Sequence, residues 1–366
     1  MRIFANLVIL ACAIVGCFAG PVYTITNLGG TGPDGSGTTA FAVSANGQTA
    51  GWAVEALGNT EAVVFGGASP ANLLAGSSWS AGEATGINSL GQVSGTVWSN
   101  GTAHGVIWSG GTSIDLGANT SAAAINDAGQ VAGSGNQAFL YQNGTRTNLG
   151  TLPGGSWSLA EGLSGNGAVA GYGNTASGIR GFVWTPGAGM QELATLGGGS
   201  SYGMAVNDSG VVAGSAAVGS GYLNATSWLN GTAKDLGTLG GNNSYAYGIN
   251  DAGEIVGYSW IAGNATTHAF VVLNGVMVDL NALLSPADSG WVITAAYGIN
   301  DQGQIVGEGT YDGQSYAVLL NDPLYQTAGG GTSGTGSAAP EPGTWSLAGG
   351  ALLLGVALRR RLSRPR

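Results

Sequence analysis

Charge is what this sequence has least of. Asp, Glu, Lys and Arg make up 8% of its 366 residues, where an average globular domain carries about a quarter. Positive charge is scarcer still. Of nine Lys and Arg residues, Arg2 and the five from position 359 onward stand at the ends, which leaves Arg146, Arg180 and Lys234 between them. Residues 22–326 set eighteen acids against those three bases, a net charge of −15. Such a surface repels a phosphate backbone, which argues against nucleic acid as a partner. Cysteine is limited to Cys12 and Cys17. Both fall in an N-terminal apolar run, so removal of that run takes disulfides and thiol catalysis with it. A nucleophile elbow, a phosphate-binding loop and a cysteine–histidine pair are missing as well.

Glycine, in contrast, is abundant, at 70 residues. Together with 44% apolar residues at regular aliphatic positions, it points to packed sheet rather than disorder. Much of the pattern comes from one phrase used seven times, as in Ala246-Tyr247-Gly248-Ile249-Asn250-Asp251-Ala252-Gly253-Glu254-Ile255-Val256-Gly257. Two of its glycines never fail: Gly47/Gly51, Gly91/Gly95, Gly129/Gly133, Gly167/Gly171, Gly210/Gly214, Gly253/Gly257 and Gly303/Gly307. The first glycines are 44, 38, 38, 43, 43 and 50 residues apart, the range of blade and solenoid repeats. The Asn-Asp-x-Gly core reads as a hairpin turn, because its side chains can bond nearby backbone amides and the glycine can take a left-handed conformation. Seven and five residues before that glycine stand only Ala or Gly, as at Ala84 and Gly86. A column of small residues is what close approach between strands or blades requires.

A third strand follows each hairpin, as at His104-Gly105-Val106-Ile107-Trp108 and Arg180-Gly181-Phe182-Val183-Trp184, and a fourth closes the unit around Asp115-Leu116-Gly117 or Asp235-Leu236-Gly237. Four short strands in about 43 residues make one propeller blade. There are seven hairpins and seven third strands, but after them only six fourth strands; the seventh stands ahead of the first hairpin, in residues 22–30. That offset suits a ring that closes on itself and hides its edges. The expectation is an all-β chain: a seven-bladed β-propeller of four-stranded blades over residues 22–326, its last blade completed by the N-terminal strand. An open β-solenoid or two stacked sheets is the alternative.

The ends read as addresses. Residues 1–19, a basic start followed by an apolar run with a small-residue end, have the form of a secretory signal peptide with its helix; a lipobox ending at Cys17 is the rival reading. Residues 327–339 are a Gly/Ser/Thr/Ala-rich linker. In residues 340–366, Pro340-Glu341-Pro342 leads into an apolar run at 345–358 and then Arg359, Arg360 and Arg361. Fourteen apolar residues are fewer than the roughly 20 that span a bilayer comfortably, and the arginines hold that end on the cytoplasmic side. In these three ordered parts the C terminus resembles the PEP-CTERM sorting signal of Gram-negative bacteria. The resemblance implies a short transmembrane helix as a transient anchor after passage through the secretion machinery. It further implies recognition by an exosortase, cleavage near the Pro-Glu-Pro motif and delivery to the cell surface or extracellular matrix, in a setting rich in exopolysaccharide. An ordinary tail anchor is the alternative.

The repeats resemble the HAF family of extracellular repeats, whose trio stands at His268-Ala269-Phe270, with Gly-Ile-Asn-Asp-x-Gly phrases at 248–253 and 298–303. Most third strands depart from the trio, as Gln137-Ala138-Phe139 shows, so its histidine is read as structural. The family implies a surface or secreted location and no particular reaction.

Few residues invite chemistry. His104 and His268 hold equivalent positions in repeats two and six with no third ligand nearby, which argues against a metal site. The acidic turns lack alternating calcium ligands, and no spacing singles out a pair among eighteen acids for glycoside chemistry. No cofactor and no catalytic residue is expected. One column varies where its neighbours do not: six residues before the first invariant glycine lie Phe41, Thr85, Ala123, Glu161, Met204, Tyr247 and Tyr297. If these reach one mouth of the ring they form a ligand surface, with Phe41, Glu161, Tyr247 and Tyr297 its main polar and stacking contacts; packing between blades is the competing account. The sequence thus reads as an exported, cell-surface or matrix propeller that serves as a structural or binding module and is not an enzyme. A lectin-like polysaccharide binder is the alternative, and an extracellular glycan-active enzyme a more distant one.

Overall fold

The computed structural model describes residues 22–29, 37–54, 58–66 and 70–322, all within the compact unit Met1–Ala328. Each repeat folds where its turn residues demand. The first glycine of every phrase has a positive φ, from 67° at Gly303 to 87° at Gly167, a region that side chains disfavour. In the sixth repeat the Asn250 N–H donates to the Glu254 carbonyl at 3.1 Å, and the Gly253 N–H to the Asn250 carbonyl at 3.0 Å. Strand Gly240–Ile249 therefore doubles back as Ile255–Ile261. Later hairpins turn on Asn143-Gly144, Asn230-Gly231 and Asn274-Gly275, with positive φ at both residues. This is the type I′ geometry, whose twist matches that of paired strands.

Seven four-stranded antiparallel sheets result. Six take their strands in chain order; the seventh runs Thr24–Gly29, Gln314–Asn321, Ile305–Tyr311, Trp291–Ile299, with Thr24 opposite Asn321 and Ile25 opposite Leu320. The first strands of the seven repeats are Thr38–Val43, Ala81–Ile87, Ser121–Ile125, Ser158–Leu163, Gly197–Val206, Gly240–Ile249 and Trp291–Ile299. They touch one another in an unbroken cycle. The protein is a seven-bladed β-propeller, neither an open solenoid nor two stacked sheets.

The apolar core is divided rather than central. Seven clusters of buried side chains lie between neighbouring blades. In one, Val256 and Val271 of the sixth blade meet Ile293, Ile305 and Val318 of the seventh; in another, Val306 and Ala317 of the seventh meet Ala40 and Val63 of the first. The small residues of the phrase make this approach feasible. A Cβ on Gly162 would stand 2.7 Å from the Cα of Ala205 in the next blade, and one on Gly298 would stand 2.8 Å from the Phe41 carbonyl oxygen. Among the described residues no helix is long and apolar enough to cross a membrane. The expected signal helix, linker and apolar tail helix lie outside the described residues.

Candidate functional site: two mouths of one channel

The first strand of every blade carries a β-bulge, and the bulge falls at the variable column. Register shifts between Ala40 and Ala42, Ala84 and Gly86, Ala122 and Ala124, and Ala160 and Gly162. The same break recurs between Gly203 and Ala205, Ala246 and Gly248, and Ala296 and Gly298. The unpaired residues are Phe41, Thr85, Ala123, Glu161, Met204, Tyr247 and Tyr297. A bulge bends its strand and re-aims the side chain it carries. Here all seven side chains converge, with Glu83, on one cavity of about 260 Å³ at one end of the central channel.

The bulge also explains the second invariant glycine. Opposite the residue that precedes each bulge sits Gly51, Gly95, Gly133, Gly171, Gly214, Gly257 or Gly307. A Cβ there would meet a facing carbonyl oxygen at 1.9 Å in Gly51, Gly214 and Gly257, and at no more than 2.4 Å in the other four. The two glycines of the phrase are therefore constant for different reasons, one for its backbone angle and one for want of room.

At this bulge mouth the chemistry is aromatic and acidic. Phe41 and Tyr297 meet edge to face at 5.4 Å, Tyr297 and Tyr247 at 5.5 Å, and Tyr258 stacks on Tyr247 at 5.7 Å and 21°. Desolvation pushes the Glu161 carboxyl up to about 7, partly offset by the hydrogen bond that the Tyr172 hydroxyl donates to it. Tyr172 in turn is pushed up to about 12, by burial first and then by the charge of Glu161, and Tyr297 to about 12, by burial first and then by Glu308. Burial likewise raises the Glu83 carboxyl. Phe41, Glu161, Tyr247 and Tyr297, expected to share a surface, thus share one cavity, and inter-ring packing and exposure to the channel coexist at the same residues. Sequence reading missed Glu83, Tyr172, Tyr258 and Glu308. Three of them were detectable, because Tyr172, Tyr258 and Glu308 each follow the bulge residue of their own blade by eleven positions, directly after the second glycine.

Between the mouths the channel is lined by aliphatic side chains, Val43, Ile87, Ile125, Leu163, Val206, Ile249 and Ile299. Beyond them a second cavity of about 290 Å³ is ringed by the Asn-Asp turns. These turns do more than reverse the chain. Asn250 Oδ1 accepts the Glu254 N–H at 2.9 Å, pinning its own hairpin, while Asn250 Nδ2 donates to the Asn300 carbonyl of the next blade at 3.2 Å. Asn88, Asn126, Asn207 and Asn300 reach the following blade in the same way, at 2.9–3.1 Å. In the first and fourth repeats Ser44 and Ser164 replace that asparagine, and there Asn46 and Asn166, two residues on, donate to the Ser89 and Asp208 carbonyls at 3.0 and 2.8 Å. The seven amide bonds complete a circuit. The aspartates add to it: the carboxylates of Asp127, Asp208, Asp251 and Asp301 accept backbone N–H groups from the preceding blade at 2.8–3.0 Å. Reading this motif as a turn alone was thus incomplete, since its aspartate serves the neighbouring blade.

The two histidines occupy a different place. His104 Nδ1 donates to Asp115 at 2.9 Å and His268 Nδ1 to Asp279 at 2.7 Å, each bond joining third strand to fourth. Arg180 with Glu192 and Asn224 with Asp235 occupy the equivalent position in other blades, at 3.2 and 3.0 Å. His268 is thus one of several donors that clip the outer strand to its neighbour. Pro340, Glu341, Pro342, Arg359, Arg360 and Arg361 lie outside the described residues.

No family model and no curated protein matches the chain. Among solved structures it is similar to a puromycin-hydrolyzing peptidase of Mycobacterium tuberculosis, at 12% identity and a TM-score of 0.50, covering 83% of this chain and 53% of that one. It is also similar to YCF48 bound to D1 peptide, at 12% identity and a TM-score of 0.47, covering 88% and 98%. TolB from Acinetobacter baumannii matches at 13% identity and a TM-score of 0.40, with 60% of each chain covered. The chain therefore spans about three fifths of that TolB and about half of the peptidase. At 12% identity the likeness to the peptidase speaks for the fold alone.

Proposed function

We propose that this chain is an exported binding module of the cell surface or extracellular matrix that holds a small ligand at the bulge mouth of its propeller and does not turn it over. One observation carries the reading: the column of the repeat that varies is the column that seven bulges aim into a single cavity. A packing role alone asks for uniform residues at equivalent positions, as the flanking Ala and Gly show. A varied ring of Phe, Thr, Ala, Glu, Met and Tyr instead gives the mouth an individual shape and polarity, as ligand sites require. Export rests on residues 1–19. Sorting by an exosortase rests on Pro340, Glu341, Pro342 and the arginines at 359–361.

Met204 is the natural reporter, since it lines the cavity, whereas Met190 and Met277 sit on outer strands. With the methionine methyls labelled with carbon-13, titration with oligosaccharides and small amines is expected to shift Met204 selectively and leave the ligand chemically intact. If no member of the panel moves Met204, the binding reading fails; new reducing ends mark a glycan-active enzyme instead. On the same protein recovered from the producing cells, a mass that still includes Arg366 would sink the sorting proposal.

A further inference from the structure

The bulge mouth also restricts the chemistry of what it holds. Resting on the binding reading above, we infer that its ligand is a small organic cation, an amine or quaternary ammonium group. The walls are Phe41, Tyr297 and Tyr247 in continuous edge-to-face contact, with Glu83 and Glu161 in the same lining and no Lys, Arg or His among its residues. Aromatic faces attract a cation through their quadrupole, most strongly where water is excluded. The three basic residues of the body lie elsewhere. Arg146 and Lys234 are on fourth strands and Arg180 on a third, away from the axis, while the turn mouth at the opposite end contributes Asp127, Asp208, Asp251 and Asp301. The channel therefore focuses negative potential along its length.

A neutral saccharide fits this lining poorly. Its hydroxyls find acceptors in Glu83 and Glu161, but it also needs donors, and apart from the tyrosines the lining holds one hydroxyl, Thr85, which already donates to the Ala122 carbonyl at 2.6 Å. Glu161 is suited to a cation for a further reason. Its carboxyl, pushed up to about 7 by desolvation, ionises readily once a positive charge enters and offsets that burial. The groups around it are Tyr172 on the next strand of its own blade, Tyr202 beyond that, and Met204 and Glu83 in the same cavity. None of them is basic, so the incoming ligand supplies the positive charge.

The test compares tetramethylammonium with neopentyl alcohol, a neutral molecule of similar shape, by the Met204 methyl shift. The cation is expected to bind roughly tenfold more tightly than the alcohol, and its affinity to rise between about pH 6 and 8 as Glu161 gives up its proton. Glu161→Gln is expected to remove most of that preference and the pH dependence, while a thermal melt shows the fold retained. Equal binding of the alcohol overturns the cation inference and leaves the mouth as a binding site. A Met204 methyl unmoved by the cation also overturns it. The binding reading then stands if an oligosaccharide moves Met204 and falls with it if nothing does.

Discussion

The bulge mouth and the turn mouth are built from the same seven strands, with the variable residue three positions before the turn, as Tyr247 is before Asn250. At the turn mouth the residues repeat, and where they change they change in compensation: Ser44 comes with Asn46 and Ser164 with Asn166, so that each blade keeps one amide bonded to the next. At the bulge mouth equivalent positions hold Ala123, Glu161 and Tyr247 with no such compensation. The difference follows from what each position touches. At Asn88, Asn126, Asn207, Asn250 and Asn300 the turn-mouth side chain completes a buried hydrogen bond between blades, and an unmet partner there is costly. A bulge-mouth side chain projects into the channel, where a change of size alters the cavity before it alters the ring.

The sharpest way to break this contrast is to remove the bulge on which it depends. In Gly257→Ala the new Cβ would stand 1.9 Å from the Tyr245 carbonyl oxygen, so the expected loss is about 3 kcal/mol or more, or failure to fold. A urea melt close to that of the parent protein would mean that the bulge tolerates a side chain. Next comes the turn mouth. Asn250→Ala strands the Glu254 N–H and takes from the Asn300 carbonyl its bond to the preceding blade, leaving it the Gly303 N–H alone, an expected loss of about 1–3 kcal/mol by denaturant titration. An unchanged midpoint would mean that the amide circuit contributes nothing to stability.

An effect of the opposite sign belongs to the bulge mouth. Because the folded protein raises Glu161 from 4.5 to about 7, the group is protonated in both states below the lower value and ionised in both above the higher one. Between them the unfolded chain releases its proton first, so stability falls as pH rises through that window. Glu161→Gln is expected to flatten this decline and to melt slightly higher than the parent above pH 7, with no advantage below 4.5. A parent protein whose melting temperature stays constant across the window would show that Glu161 is not desolvated.

The histidines carry a similar lesson at lower stakes. His268 reads from the sequence as structural, and its counterparts Arg180 and Asn224 make the same clip to an acid on the outer strand. What matters at that position is a donor, whatever residue provides it.

By itself the sequence determined the repeat, the strand count, the hairpin at each Asn-Asp-x-Gly and the small residues that let blades approach, because each of these depends on contacts within a few residues or on a period. It also marked Phe41, Glu161, Tyr247 and Tyr297 as exceptions to the pattern. Two things were decided only in three dimensions. That seven such exceptions, 38–50 residues apart, meet in one cavity depends on a bulge, which re-aims a side chain without leaving any periodic trace of its direction. That the Asp251 carboxylate belongs to the neighbouring blade rather than to its own turn depends on a partner, the Asp208 N–H that it accepts, and its equivalents, supplied by a different repeat. A carboxylate two positions before a glycine satisfies the requirements of a turn locally, and only the packing of blade on blade brings the preceding blade's amide within reach.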